Sequence, residues 1–469
     1  TPGFIDIQSH SREALTTGDG RLISKITQGI TTEIMGEGWS NAPANEKTGD
    51  QADKNFTGPH SFDRWLKAMQ ARGSSANFGS FVGAGTIRAF GKGFAMGDAT
   101  PNELNVMRAA VKESMQDGAF GLASALIYPP GSYASTSELT ELAKSMSAFG
   151  GTYISHIRSE ADKFIEALEE AMSIGKNGSV PVEIYHLKAV GRNNWKLLDP
   201  ALQLIQKSRA DGIDIQANMY PYVASGTALT ALLPDWAAAD GKLFANLDNP
   251  DSRARIIADM LKDNKGRDAD LVQPIGMRKP ENKKYIGQRL NKIAEGMNLP
   301  WPEAAIALLR SERHGISTIY YIINETNIEK QLKMPWIKIS TDAGGTNPAT
   351  ANGPTHPRTY GTYPRVLGFY ARELKTIPLE DAVFKMTGAV ATRLSLHNRG
   401  ILRPGMAADL VIFDPAKVRD EATFENPHQL STGIQQVVVN GVVVVNEGKH
   451  TGAKPGIILR GPGFQPAAN

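Results

Sequence analysis

Two periodicities alternate along this chain. Short runs rich in apolar and β-branched residues fall at 4–7, 32–35, 77–81, 121–123, 152–155, 182–186, 213–218 and 337–340. Between them, apolar positions recur at helical spacing over 102–117, 137–148, 159–175 and 198–210, and again over 379–394 after the last run. Strand and helix in turn are what βα units around a parallel sheet require. Eight strands over about 390 residues suit an α/β protein built as a closed (β/α)8 barrel with insertions better than an open sheet.

The alternation breaks twice. From about 225 to 299 it gives way to Leu233-Pro234-Asp235-Trp236, a helical stretch at 251–264 and the basic run Arg278-Lys279-Pro280-Glu281-Asn282-Lys283-Lys284. This reads as a small subdomain inserted after a barrel strand, over the mouth. From residue 399 on, turn residues punctuate β runs at 410–413, 434–439 and 442–445, the last two separated by Asn440-Gly441. Asn-Gly between two valine runs is a strong hairpin signal, because both residues accept the positive φ that a tight hairpin turn needs. The division expected is a barrel domain at 1–398 and a small β domain at 399–469.

Composition removes several function classes. The 51 basic and 48 acidic residues are interspersed and the net charge is only +3, so no basic stripe for a phosphate backbone is present and nucleic acid is not expected as a partner. The most apolar run, 437–445, is interrupted by Asn440 and Gly441 and falls far short of the roughly 20 residues of a membrane span. There is no cysteine, which rules out disulfides, thiol nucleophiles and thiolate metal sites together and leaves any metal to His, carboxylates and amides.

In a parallel barrel the chemistry collects at the C-terminal ends of strands. His10 follows the first run, His156 and His186 end the fifth and sixth, and Asp342 ends the eighth. One histidine at a strand end is commonly a packed or surface residue. Three of them with an aspartate in one barrel form a metal constellation, since each buried polar group left alone would cost about 1–3 kcal/mol.

Pro2-Gly3-Phe4-Ile5-Asp6, Gln28-Gly29-Ile30-Thr31-Thr32 and Gly400-Ile401-Leu402-Arg403-Pro404-Gly405-Met406-Ala407-Ala408-Asp409-Leu410-Val411 resemble the amidohydrolase superfamily. Ser155-His156-Ile157-Arg158, Tyr185-His186-Leu187-Lys188, Tyr220-Pro221-Tyr222 and the long motif from His356 to Leu367 are similar, in the same order, to stretches of the N-acyl-D-amino-acid deacylases. The resemblance spans nearly the whole chain. It implies that the C-terminal strands belong to a small β-sandwich whose N-terminal half lies upstream of Thr1 and, if cleaved, stays associated as a separate fragment, because the C-terminal strands need partners for their edges. It further implies that His156 and His186 ligate one metal, that Asp342 approaches a second position and shuttles the proton, and that Lys188, Arg358, Tyr128 and Tyr220 hold the substrate carboxylate.

Two departures matter. The family's His-x-His after strand one is Gln8-Ser9-His10 here, and an amide oxygen is a weaker donor than imidazole, so occupancy of the second metal position is left open. Where the deacylases carry a cysteine after strand two, this chain has Gly36-Glu37-Gly38, and Glu37 is the expected replacement ligand. The expected cofactor is one tightly bound zinc ion on Glu37, His156 and His186, with His10, Gln8 and Asp342 around a weaker second position. The expected partner is a small-molecule or peptide amide, and a homo-oligomer is compatible with the sequence. The alternatives are a cyclic-amide or peptide hydrolase on the same scaffold, and a non-catalytic binding protein on a decayed one.

Overall fold

A computed structural model of the chain describes residues 1–351 and 353–466. Strands β1 (Phe4–Asp6), β2 (Ile30–Met35) and β3 (Asn77–Ser80) pair in parallel. So do β4 (Val82–Gly83), β5 (Gly121–Ala125), β6 (Thr152–His156), β7 (Val182–Ile184) and β8 (Ile215–Met219). After an excursion through β9 (Ser225–Ala228), β10 (Val272–Pro274) and β11 (Ser317–Tyr320), β12 (Ile337–Ile339) returns to pair in parallel with β8. Only Phe81 separates β3 from β4, so one extended segment joins the two sheets. At the other seam, Ser9 bridges Ala343, the Asp342 amide donates to Gln8 O and the His10 amide to Ala343 O, both at 3.0 Å. Each of the eight runs expected from the sequence overlaps a segment of this barrel.

Alternating side chains divide between its two surfaces, as the period of a strand dictates. Ile5, Ile34, Phe81, Ala123 and Ile154 form one apolar cluster with Val390, Leu394 and Leu459, whereas their neighbours Phe4, Val82, Leu122 and Tyr153 join the larger core under the helices. Leu459 is held there by the returning tail, whose Leu459 amide donates to Phe78 O at 2.7 Å. Apolar side chains thus close the end of the barrel where strands begin, and leave the other end to polar ones.

The seam carries a buried charge. Lys25 and Asp6 are fully buried and paired at 2.7 Å; Asp6 also accepts from the Gln8 and Thr341 amides, at 3.2 and 3.0 Å. One carboxylate therefore ties the turn carrying His10 to the turn carrying Asp342. Lys25→Met should lower stability by about 3–5 kcal/mol, because Asp6 and Glu33 lose the cation that compensates their burial; a denaturant midpoint unchanged from wild type would contradict this.

The excursion between β8 and β12 builds its own small sheet, in which β11 pairs antiparallel with both β9 and β10. The sheet begun at Ser225 is thus completed at Ser317–Tyr320, beyond residue 299. Strands β13 (Leu410–Phe413), β14 (Ile434–Val439), β15 (Val442–Asn446) and β16 (Lys449–His450) form one antiparallel sheet. Asn440 (φ 49°) and Gly441 (φ 82°) make the expected hairpin turn. The described residues of 399–469 thus form one antiparallel sheet, a single layer of the sandwich expected with its other half upstream. Its Val411, Val437, Val439, Val444 and Val445 belong to the main core, so one face of the sheet packs against the rest of the chain, while Ile412, Val442 and Val443 are exposed.

Candidate metal and active site

The end of β2 sets the centre of the site. Gly36 (φ 113°) and Gly38 (φ 66°) flank Glu37 in conformations that L side chains rarely adopt. A Cβ on Gly36 would stand 2.3 Å from Phe81 O, and one on Gly38 would stand 2.7 Å from the Ala125 Cβ. The glycines let the backbone press against neighbouring strands and turn the Glu37 carboxylate inward. His156 is the last residue of β6; His186, two residues past β7, has φ 34°, and Asp342, three past β12, has φ 49°. Both are non-glycine residues in the left-handed region, a conformation that costs energy unless the surrounding structure holds it.

Glu37 is the shared partner. Its Oε1 lies 2.9 Å from His156 Nδ1 and 3.3 Å from His186 Nε2. Its Oε2 lies 3.3 Å from His10 Nε2, which is 2.8 Å from Asp342 Oδ1. Two candidate metal triads result, Glu37 with His156 and His186, and Glu37 with His10 and Asp342. Two imidazoles and a carboxylate are a donor set suited to catalytic zinc, so the residues present fit the expected ion. Burial works against the Glu37 carboxylate, but the charge of His186 and hydrogen bonds from three imidazoles hold its pKa well below the usual value. It is poised as an anion.

Gln8 lies between Glu37 and Ser340. Its Nε2 donates to Glu37 Oε2 at 2.6 Å, and its Oε1 accepts from the Ser340 hydroxyl at 3.2 Å. An amide that presents its nitrogen to Glu37 orients the carboxylate, and the carbonyl expected to face a metal is turned toward Ser340.

Lys188 and Arg358 both reach the site with carboxylates of the protein already on them. Lys188 Nζ donates to Glu160 Oε1 at 2.5 Å and lies 2.9 Å from His186 Nδ1, itself 3.1 Å from Glu160. Glu160 is the site residue that the sequence reading missed. A carboxylate behind a ligating imidazole fixes its tautomer and orientation, and the available signal was an acidic residue four positions after His156. Arg358 Nη1 pairs with Asp342 Oδ2 at 2.8 Å, while its guanidinium lies 4.7 Å from the centre of the Tyr220 ring. Burial would raise the Asp342 pKa, yet Arg358 and the His10 hydrogen bond bring it down to about 2.

The two tyrosines differ. The Tyr128 hydroxyl shares a 2.6 Å hydrogen bond with Thr227, whereas the buried Tyr220 hydroxyl has no partner among the described residues. Burial raises both pKa values, so both keep their protons as donors. Every site residue expected from the sequence except Gln8 lines a single cavity of about 430 Å³.

Comparison with known proteins agrees with this geometry. Residues 342–445 match the amidohydrolase family. The D-aminoacylase of Alcaligenes xylosoxydans xylosoxydans is 34% identical over 466 residues, 98% of this chain and 86% of that protein. A solved D-aminoacylase, studied for its binuclear metal centre with one-metal activation and second-metal attenuation, superposes with a TM-score of 0.80 at 32% identity, covering 98% of this chain and 88% of the other. The N-acyl-D-glutamate deacylase of Bordetella bronchiseptica, solved with zinc and a phosphonate mimic of the tetrahedral intermediate, gives 0.81 at 28% identity over the same shares. The chain belongs to the amidohydrolase family, among the D-aminoacylases and N-acyl-D-amino-acid deacylases.

Proposed function

We propose that this metal-dependent amidohydrolase cleaves the amide of an N-acyl-D-amino acid, releasing the free amino acid and the acyl carboxylate. The observation that carries the reading is one carboxylate, Glu37, held by His156 and His186 on one oxygen and by His10 on the other, beside Asp342. Glu37, His156 and His186 would hold one firmly bound zinc ion. His10, Asp342 and the second oxygen of Glu37 would offer a weaker position, with Gln8 fixing the carboxylate between them. When bound, the metal supplies Lewis acidity to a water molecule and to the amide carbonyl.

The chain's own residues do the rest. Asp342 takes the proton of the attacking water and returns it to the departing nitrogen. Lys188 and Arg358, with Tyr128, receive the substrate carboxylate, a charge-assisted contact that fixes the scissile bond. As Arg358 turns to that anion, Asp342 loses a charge that holds its pKa down and becomes a better proton acceptor. The free hydroxyl of Tyr220 donates to the oxyanion that forms at the acyl carbon. Residues 1–398 serve as the catalytic barrel, with the excursion from 225 as its cover, and 399–469 as a supporting β domain.

Metal content measured together with hydrolysis of paired N-acetyl-D- and N-acetyl-L-amino acids tests this. About one zinc per chain and a D preference of at least 100-fold are expected, since the wrong enantiomer cannot place both carboxylate and amide. Chelation should abolish turnover and zinc should restore it. Zinc-loaded protein that leaves every N-acyl-D-amino acid intact but opens a cyclic amide would replace this reading with its closest alternative.

A further inference from the structure

Arg12 stands on the wall of the active-site cavity with His10, Glu37 and Trp39. It opens the short helix Arg12–Thr16 that follows the β1 turn. Of the other cations on this wall, Lys188 is paired with Glu160, Arg358 with Asp342, and Arg267 touches Lys265 O at 3.5 Å. Among the described residues, Arg12 alone of these lysines and arginines donates no side-chain hydrogen bond and has no carboxylate within ion-pair distance, and its buried Nη1 is without a partner. Burial pulls its pKa below the usual guanidinium value, and the charge of Glu13, exposed on the same wall, acts against that pull. A buried charged donor left unpaired is costly, so a guanidinium in such a place ordinarily meets an anion.

The chain on either side of Arg12 is anchored. The Ser11 hydroxyl donates to Glu33 Oε2 and accepts from the Gly345 amide, both at 2.8 Å, and the Thr16 hydroxyl donates to Arg12 O at 2.8 Å. Trp39, on the turn after β2, is fixed as well. Its amide donates to Glu37 O at 2.7 Å, its ring stacks on Phe94 with centroids 6.4 Å apart, and a Cβ on Gly85 would stand 3.3 Å from the indole. An anchored wall loses little freedom when it takes a ligand. Glu37 separates this wall from the groups assigned to the substrate carboxylate: one of its oxygens faces His10, two residues before Arg12, and the other faces His156 and His186. Lys188 and Arg358 meet over the Tyr220 ring, 5.7 and 4.7 Å from its centre. An amide lying across Glu37 with its leaving nitrogen toward Lys188 and Arg358 therefore sends its acyl substituent toward Arg12 and Trp39.

Resting on the function proposed above, we infer that Arg12 receives an anionic group at the far end of the acyl moiety, so that the acyl group removed is one end of a dicarboxylic acid. One carboxyl of that acid forms the amide under attack. The other, a free carboxylate, meets the planar fork of Arg12, and the methylenes between them run along Trp39. Hydrolysis adds one water across the C–N bond and releases the free amino acid and the dicarboxylate. A short neutral acyl group leaves Arg12 without its anion.

Steady-state kinetics of the zinc-loaded enzyme on N-succinyl-D-leucine and N-glutaryl-D-leucine tests this, each beside the compound in which the distal carboxylate of the acyl group is a carboxamide. At one of the two lengths the acid should be favoured about 100-fold in kcat/KM, the scale of a lost charged hydrogen bond. Arg12→Met should bring that acid and its carboxamide within about threefold of each other. If this variant loses zinc or thermal stability, Arg12→Lys takes its place and should lose about tenfold of the preference, since a single ammonium lacks the fork. Wild-type enzyme that hydrolyses acid and carboxamide equally at both lengths overturns the role of Arg12 and leaves the deacylase reading intact. So does a preference that survives Arg12→Met but disappears in Arg267→Met, whose guanidinium lines the same cavity. Zinc-loaded enzyme inert toward all four compounds and toward N-acetyl-D-leucine overturns both readings.

Discussion

Glu37→Gln should strip the protein of its metal and lower kcat/KM by about 10⁴-fold. The carboxylate is the one group common to both candidate triads, so its neutralisation weakens both at once. Gln retains the length and one carbonyl oxygen but loses the charge, and in the barrel interior that charge also compensates the imidazoles around it. Metal analysis after dialysis should find well under one tenth of an ion per chain. His10→Ala provides the contrast, because it leaves Glu37, His156 and His186 intact; one zinc should remain. Equal metal loss in the two variants would overturn the assignment of the tight position to Glu37, His156 and His186.

Asp342→Asn should behave in the opposite way, keeping the metal and losing about 10³-fold in kcat, with KM moved far less. Asn keeps one oxygen to face Arg358, and its Nδ2 can donate to His10 Nε2 in place of the other, the Arg358 and His10 nitrogens both lying 2.8 Å from the carboxylate oxygens, but it cannot take a proton. Because Asp342 titrates near 2 in the free enzyme, it stays ionised as the pH falls from neutral to about 4. An acid limb in kcat/KM above that pH should therefore belong to other groups, and should keep its midpoint in any residual activity of the variant. A variant with wild-type kcat would remove Asp342 from proton transfer.

How far the site was legible depends on the residue. His10, His156, His186 and Asp342 each end a β run, and strand ends on a parallel barrel converge, so their meeting followed from pattern and topology together. Glu37 was legible through its two glycines. Glu160 was not: its position four residues after His156 was the one signal, and that spacing does not separate an acid that orients an imidazole from a solvated one. Gln8 shows another limit, because a sequence can offer an amide but cannot say which end of it faces Glu37 and which faces Ser340.

The sequence by itself determined the eight-strand barrel, the Asn440-Gly441 hairpin, the absence of thiol chemistry and the residues available for a metal. These depend on periodicity, on backbone preferences of single residues and on composition, all of which are local. Only the tertiary structure decided that Glu37 stands between two triads, that Lys188 and Arg358 arrive already paired, and that the C-terminal strands form one sheet resting on the core. Each of these turns on distances between residues far apart in the chain, and such distances are set by packing and barrel closure, not by any segment alone.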